Sequence, residues 1–248
     1  MVFVPAGAFT MGASAGSGIP GDEQPPHTVE LSAFWIDRTE VTVNAYAACV
    51  ADAGCTEPDP NSSLDPYCNW NSNRPGTHPM NCVDWTRGQA YCAWAGKRLP
   101  TEAEWEKAAR GPDAWTYPWG SATPSCDYAV YFELTLGSAG CGTDHTLPVG
   151  SKPAGASPYG ALDLIGNVWE WISDWYDAGY YAVSPATDPQ GPESTVTNLR
   201  VIRGDAWDDS HSTFLRSPNR LYNFPTQWSR AIGFRCARDP SASRRPQP

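Results

Sequence analysis

Long apolar runs are missing from this chain of 248 residues. None approaches the roughly 18 residues that a membrane-crossing helix requires, so no membrane span is expected. Basic residues are scarce: 17 Lys and Arg stand against 27 Asp and Glu, for a net charge of -10. Nucleic acid is not an expected partner, because phosphate binding draws on clustered Lys and Arg. The acidic balance by itself reads as solubility before it reads as cation binding. Residues 1–20 hold neither a basic n-region nor an apolar h-region, so no signal peptide is visible. No two cysteines lie two to four residues apart, and His27, His78, His145 and His211 are scattered, so zinc-ligand spacing is absent. None of the eight cysteines falls between Arg203 and Phe234.

What the chain has in quantity is tryptophan (12), glycine (22) and proline (24). Many aromatics among turn-formers predict an irregular, loop-rich α+β fold in which indoles, more than long aliphatic elements, fill the core. The even cysteine count and the lack of any CxxC pair predict disulfides and therefore an oxidising compartment. The expected location is secreted, periplasmic or cell-surface, with the leader not part of this sequence.

Local signals place the elements. VFVPAGAFTMG reads as strand, turn and strand, and the alternation from His27 to Ile36 as one further strand. Thr42 and Asp84 each precede a helical pattern that stops at Gly54 and Gly96 respectively. Thr101 with Glu104 forms a capping box for a third helix ending before Gly111. Residues 56–80 form a polar loop, LDLIGNVWEWISDWY a turn and a strand, and LRVIRG and AIGFRCAR the closing strands. No repeat or linker divides the chain, which predicts one domain over 1–239 and a frayed tail over 240–248.

Nine blocks then occur in order: FVPAGAFTMG, FWIDRTEVTVNAY, NCVDW, AYCAWAGKRLPTEAEWEKAARG, YPWG, LPVGS, GNVWEWISDWY, RVIRG and IGFRCARD. Together they resemble the formylglycine-generating enzyme (sulfatase-modifying factor) family across residues 2–239. The resemblance implies a C-type-lectin-like fold with low regular secondary structure. It also implies an activity, oxidation of a substrate cysteine with copper(I) and oxygen, held by two cysteines five positions apart after a Gly-Gly-Ser turn. Thiolates suit soft copper(I). Here the turn reads Gly204-Asp205-Ala206 and the following positions are Trp207, Asp208, Asp209, Ser210 and His211. Copper is therefore not expected, and the chain reads as a pseudoenzyme, a non-catalytic protein on an enzyme's scaffold. The alternative is an oxidoreductase in which Asp208, Asp209, His211 and Trp169 surround a harder metal or an organic substrate.

Two further properties follow from the resemblance. Cys92 and Cys236 match a bridged pair of the family, whereas for the others local pairing of Cys49 with Cys55 and of Cys126 with Cys141 is the simplest arrangement, leaving Cys68 with Cys82. The segment matching LDLIGNVWEW wraps a structural calcium ion in the family, which carries over to the carboxylates of Asp163 and Glu170 and the carbonyls of Gly166 and Val168. Calcium takes six to eight hard oxygens, and such a kinked segment can present several.

The family's substrate groove is formed largely by the C-terminal third. There the chain presents Trp207, Asp208, Asp209, His211, Arg216, Arg220, Tyr222, Trp228 and Arg230, aromatic and Arg residues of the kind enriched at interfaces. A protein or glycan partner is expected on this 207–230 surface, with the chain as a possible subunit of a larger envelope assembly. The variable proteins of diversity-generating retroelements share the fold and vary this same block, so a diversified ligand-binding protein is a further alternative.

Overall fold

A computed structural model describes residues 1–16, 18–70, 72–209 and 214–240. The expected frayed tail lies, apart from Pro240, outside the described residues. Strands β1 (Val2–Val4) and β2 (Gly7–Met11) follow the predicted strand-turn-strand. The single strand expected from His27 to Ile36 is instead two, β3 (His27–Leu31) and β4 (Phe34–Ile36). The break has a local cause: the backbone N–H and hydroxyl of Ser32 both donate to the Asp188 carboxylate, at 2.7 and 2.8 Å. The chain turns there, so that β3 pairs with β2 while β4 is the centre of a second sheet, β1-β4-β9, with β9 at Ala237–Arg238.

Helices α1 (Val43–Ala51), α2 (Trp85–Trp94) and α3 (Glu102–Arg110) begin at the expected caps, with Thr42, Asp84 and Thr101 each accepting a hydrogen bond from the backbone N–H of the third helical residue. The capping box of α3 is complete, Thr101 N–H donating to Glu104 Oε2 at 2.9 Å. A third sheet, in the order β7-β6-β5-β8, carries the rest: β5 (Trp169–Trp175), β6 (Arg200–Arg203), β7 (Leu221–Asn223) and β8 (Ile232–Gly233). β5 is antiparallel to β6 and parallel to β8, so the start of β5 stands beside Ile232 and its end beside Arg200.

Every residue of α3 is buried, although its sequence, EAEWEKAAR, would suit a solvated helix. Its charges are matched by an interior set of partners. Glu102 accepts from Arg203 and, twice, from Arg220 (2.7 and 2.9 Å). Glu106 accepts from Arg203, from Arg110 and from Gly12 N–H. Lys107 Nζ donates to the carbonyls of Pro5 and Gly7 at 2.9 and 2.7 Å. Buried ions persist only when paired and hydrogen-bonded in this way. α3 thus joins β2 and β3 on one side to the β5–β6 sheet on the other.

Four disulfides close the fold: Cys49–Cys55, Cys68–Cys82, Cys92–Cys236 and Cys126–Cys141. Such a set belongs to an oxidising compartment. Among the described residues no helix is long and apolar enough to cross a membrane.

Candidate functional site

Two glycine turns bring the site together. Gly166 lies at φ +81°, where an added Cβ would fall 2.4 Å from the Val130 carbonyl oxygen; Gly204 lies at φ +104°, where it would fall 2.9 Å from that of Leu164. Neither position tolerates a side chain. Gly166 N–H donates to the Gly204 carbonyl at 2.7 Å, and Trp207 N–H to that of Asn167 at 3.1 Å. The start of β5 and the loop after β6 therefore face one another, and the indole N–H of Trp169 donates to Asp209 Oδ2 at 2.9 Å.

Around this contact lie three carboxyl groups. Asp205 is fully buried; its Oδ1 accepts from Ala206 N–H at 2.8 Å and its Oδ2 has no partner among the described residues. Burial first, and the charge of Asp209 second, push its pKa well above the usual carboxylate range. Asp208 accepts from Arg230 Nε at 3.1 Å; burial lifts its pKa and Arg230 opposes that lift. The Arg230 guanidinium sits 4.8 Å from the Tyr67 ring centre and 5.9 Å from that of Trp207, and those two rings are 5.2 Å apart. The result is an acidic cluster set among aromatic rings, hereafter the recess, with the exposed Arg230 against it.

The copper implied by the resemblance does not fit these residues. All eight cysteines are in disulfides, and the loop after β6, where the thiolate pair is expected, carries no cysteine. A hard oxygen set does not reproduce a bis-thiolate copper(I) site. The alternative of a harder metal among Asp208, Asp209 and His211 is not assembled either: among the described residues no three His, Cys, Asp or Glu side chains are grouped to hold a metal, and His211 lies outside those residues.

The calcium segment is more crowded than its sequence implies. Glu170 is fully buried, and its oxygens accept from Arg235 Nε at 2.6 Å, Arg235 Nη2 at 2.7 Å and the Trp105 indole at 2.8 Å. Asp163 Oδ2 accepts from Gly150 N–H at 2.5 Å. Arg235 is thus a ligand of Glu170 that the sequence reading did not include. Glu40 joins the group: Oε1 accepts from Asn167 Nδ2 at 2.9 Å, and Oε2 is buried with no hydrogen-bond donor among the described residues. Arg235 bonds the carboxylate of Glu170 alone and acts on those of Glu40 and Asp163 only through its charge, and burial raises the pKa of all three. Here too no three acidic side chains are grouped to hold a metal among the described residues, so a cation held by Asp163, Glu170 and the carbonyls of Gly166 and Val168 would have to displace Arg235 from Glu170.

The residues expected to form a ligand surface divide into two groups. Tyr222 is exposed and rests on Tyr176, ring centres 4.3 Å apart; Arg230 is exposed, and Trp228, Asp208 and Asp209 are half-buried. Trp207 and Arg220, by contrast, are 3% and 4% exposed and are not available to a partner. Trp207 is a wall of the recess. Arg220 is drawn inward by Glu102, and its guanidinium lies 4.1 Å from the Tyr181 ring centre. Arg216 makes a two-pronged ion pair with the buried Glu23, 2.7 Å at each contact. A linear reading could not foresee these pairings, because the partners stand 118 and 193 positions away.

Other contributors escaped the sequence reading. Tyr67 reaches the recess because Cys68–Cys82 and the Asn81 side chain, which donates to the carbonyls of Tyr67 and Arg230 at 3.0 and 2.7 Å, tie its loop to the last third of the chain. The Arg200 guanidinium lies between the rings of Trp85 (3.9 Å) and Trp175 (3.4 Å), beside the exposed edge strand β7. The only sequence signal for either was aromatic density, which does not say what a ring faces.

A family model described as the sulfatase-modifying factor enzyme 1-like domain matches residues 1–240. The formylglycine-generating enzyme of Streptomyces coelicolor is 37% identical to this chain, over 96% of it and 88% of the relative. Among solved structures, PvdO from Pseudomonas aeruginosa has a TM-score of 0.78 at 30% identity, covering 96% of this chain and 93% of its own. Treponema denticola variable protein 1 has a TM-score of 0.74 at 25% identity, covering 97% and 95%. With the fold, the ordered blocks and these likenesses in agreement, the chain belongs to the sulfatase-modifying factor family, on its C-type-lectin-like fold.

Proposed function

We propose that this protein is an exported, non-catalytic binding protein on the sulfatase-modifying factor scaffold. It recognises a protein or glycan partner, alone or as a subunit of a larger envelope assembly. The observation that carries the reading is the pairing of two facts: every cysteine is consumed in a disulfide, and none stands in the loop after β6 where the copper-holding pair would be. The contact surface is the exposed part of the C-terminal third, Tyr222, Phe224 (48% exposed), Trp228 and Arg230, together with Asp208 at the recess. Aromatic and Arg side chains grouped this way supply most of the binding energy in ordinary interfaces.

The test has two arms. Incubation of the intact protein with copper(I), oxygen and a cysteine-containing sulfatase peptide is expected to give no formylglycine; turnover would return the chain to the enzymes. A Tyr222→Ala/Phe224→Ala/Trp228→Ala variant is expected to bind its captured partner at least about tenfold more weakly with an unchanged thermal midpoint. Undiminished affinity would remove the surface from the proposal.

Calcium belongs to the same reading as a structural ion at Asp163 and Glu170. Its removal by EDTA is expected to lower the thermal midpoint by several degrees, with recovery on adding calcium, since a ligand of the folded state alone stabilises it by mass action. A midpoint that EDTA leaves in place would mean that protons, not calcium, offset the charge of Glu40, Asp163 and Glu170.

A further inference from the structure

A cavity of about 500 Å3 opens on the loop around Cys68, neighbouring Tyr67. Its walls include Asp65, Trp70, Ser72, Asn73, Arg74 and His145. The loop could be expected to be slack, since it has little regular structure, but its base is pinned. Cys68 is bonded to Cys82, and the buried Asn69 donates from its backbone to Asn81 Oδ1 (2.7 Å) and from its side chain to Pro79 O (2.8 Å) and Thr146 Oγ1 (3.0 Å). Trp70 packs edge-on against Tyr46, 5.8 Å between ring centres, so one side of the indole is held by the core while the ring lines the cavity. A binding site held by such contacts loses little freedom when it is filled.

The polar groups on the walls are of mixed kind. Arg74 is donor-only; it donates to Pro66 O at 2.9 Å and, among the described residues, forms no ion pair. Asp65 is acceptor-only, one oxygen taking the Tyr67 N–H at 2.9 Å. His145 Nδ1 lies 2.6 Å from the Thr146 carbonyl, which can only accept. Nδ1 therefore carries a proton in this contact. Asn73 and Ser72 can both donate and accept. An anion would satisfy Arg74 and be opposed by Asp65; an amine would do the reverse. A polyol is the ligand class whose groups donate and accept at adjacent positions, and the C–H face of a sugar ring suits packing on an indole such as the partly buried Trp70. The volume lies within the range of small-molecule sites, roughly 300–1,000 Å3.

We propose that this cavity is a binding site for a neutral saccharide, one pyranose resting on Trp70 with its hydroxyls shared among Asp65, Asn73, Arg74 and His145. The site is separate from the Tyr222–Arg230 surface and stands or falls independently of it.

The experiment uses the intact, disulfide-bonded chain on an array of neutral and acidic oligosaccharides, followed by titration calorimetry with the neutral glycan that binds best. Binding that falls at least tenfold in Asn73→Ala and Asp65→Asn supports the site, provided it is unchanged in Tyr222→Ala/Phe224→Ala. Trp70→Ala is expected to abolish it. Because Trp70 also touches the core, the two polar variants, which keep the thermal midpoint, carry the decision if that variant unfolds. Absence of binding to any neutral glycan up to millimolar concentration overturns the proposal. So does binding restricted to acidic glycans and lost in Arg74→Met, which would make the cavity an anion site. Binding that depends on Tyr222 and Phe224 and ignores Asn73 would place the glycan on the other surface.

Discussion

Replacing Cys92 and Cys236 together by serine is expected to cost about 5 kcal/mol of unfolding free energy, the largest loss of any single cross-link in the molecule. The bridge closes a separation of 144 residues, from α2 to the segment between β8 and β9. In the chain-entropy view a cross-link stabilises by restricting the unfolded ensemble, and the restriction grows with the logarithm of the loop. Cys49–Cys55, with a separation of 6, is expected to contribute about 2 kcal/mol by the same relation. Both cysteines of the long bridge are fully buried beside Phe234 and Tyr91 in the largest core cluster, so two hydroxyls placed there add to the loss. Against a total stability of roughly 5–15 kcal/mol, the long-bridge variant stands at the edge of folding at 37 °C. Urea unfolding of the two double variants checks this, and equal losses for the long and short bridges would show that loop closure is not the source.

Arg220→Ala is expected to destabilise the protein by about 3–5 kcal/mol, the range for removing one partner of a buried ion pair. The guanidinium gives Glu102 two hydrogen bonds and also donates to the Asp22 carbonyl at 2.7 Å. Without it, Glu102 keeps, among the described residues, the contact with Arg203 at 3.2 Å inside a fully buried helix. For a chain of this size the thermal midpoint should fall by about 10 °C. Arg230→Ala is the contrast: its ion pair with Asp208 is solvent-facing, and such pairs contribute about 0–1 kcal/mol. Thermal melts of the two variants side by side decide the matter. An Arg220 variant that melts with the wild type would return Arg220 to the ligand surface and leave the interior charge set without its central partner.

Local signals were legible where they concern neighbours in the chain. Thr42, Asp84 and the Thr101/Glu104 box set three helix starts because a cap needs only the next three residues. The joining of the closing strands to β5 was not legible, nor was the split of the His27–Ile36 run, which depends on Asp188. The α3 sequence misleads in an instructive way. Its charged residues look solvated, yet each is buried, because Arg203 and Arg220 arrive from β6 and from just before β7 to meet them.

By itself the sequence determined the family, the caps, the supply of cysteines for four bridges and the lack of any thiol between Arg203 and Phe234. Those depend on residue identity and short spacing. Tertiary structure alone decided that Arg220 and Trp207 are interior, that Asp205 is buried, that Arg235 bonds Glu170, and that Tyr67 lies beside Arg230 and Trp207. The physical reason is that burial and charge pairing are properties of the space around a side chain, and here that space is filled by residues up to nearly two hundred positions away.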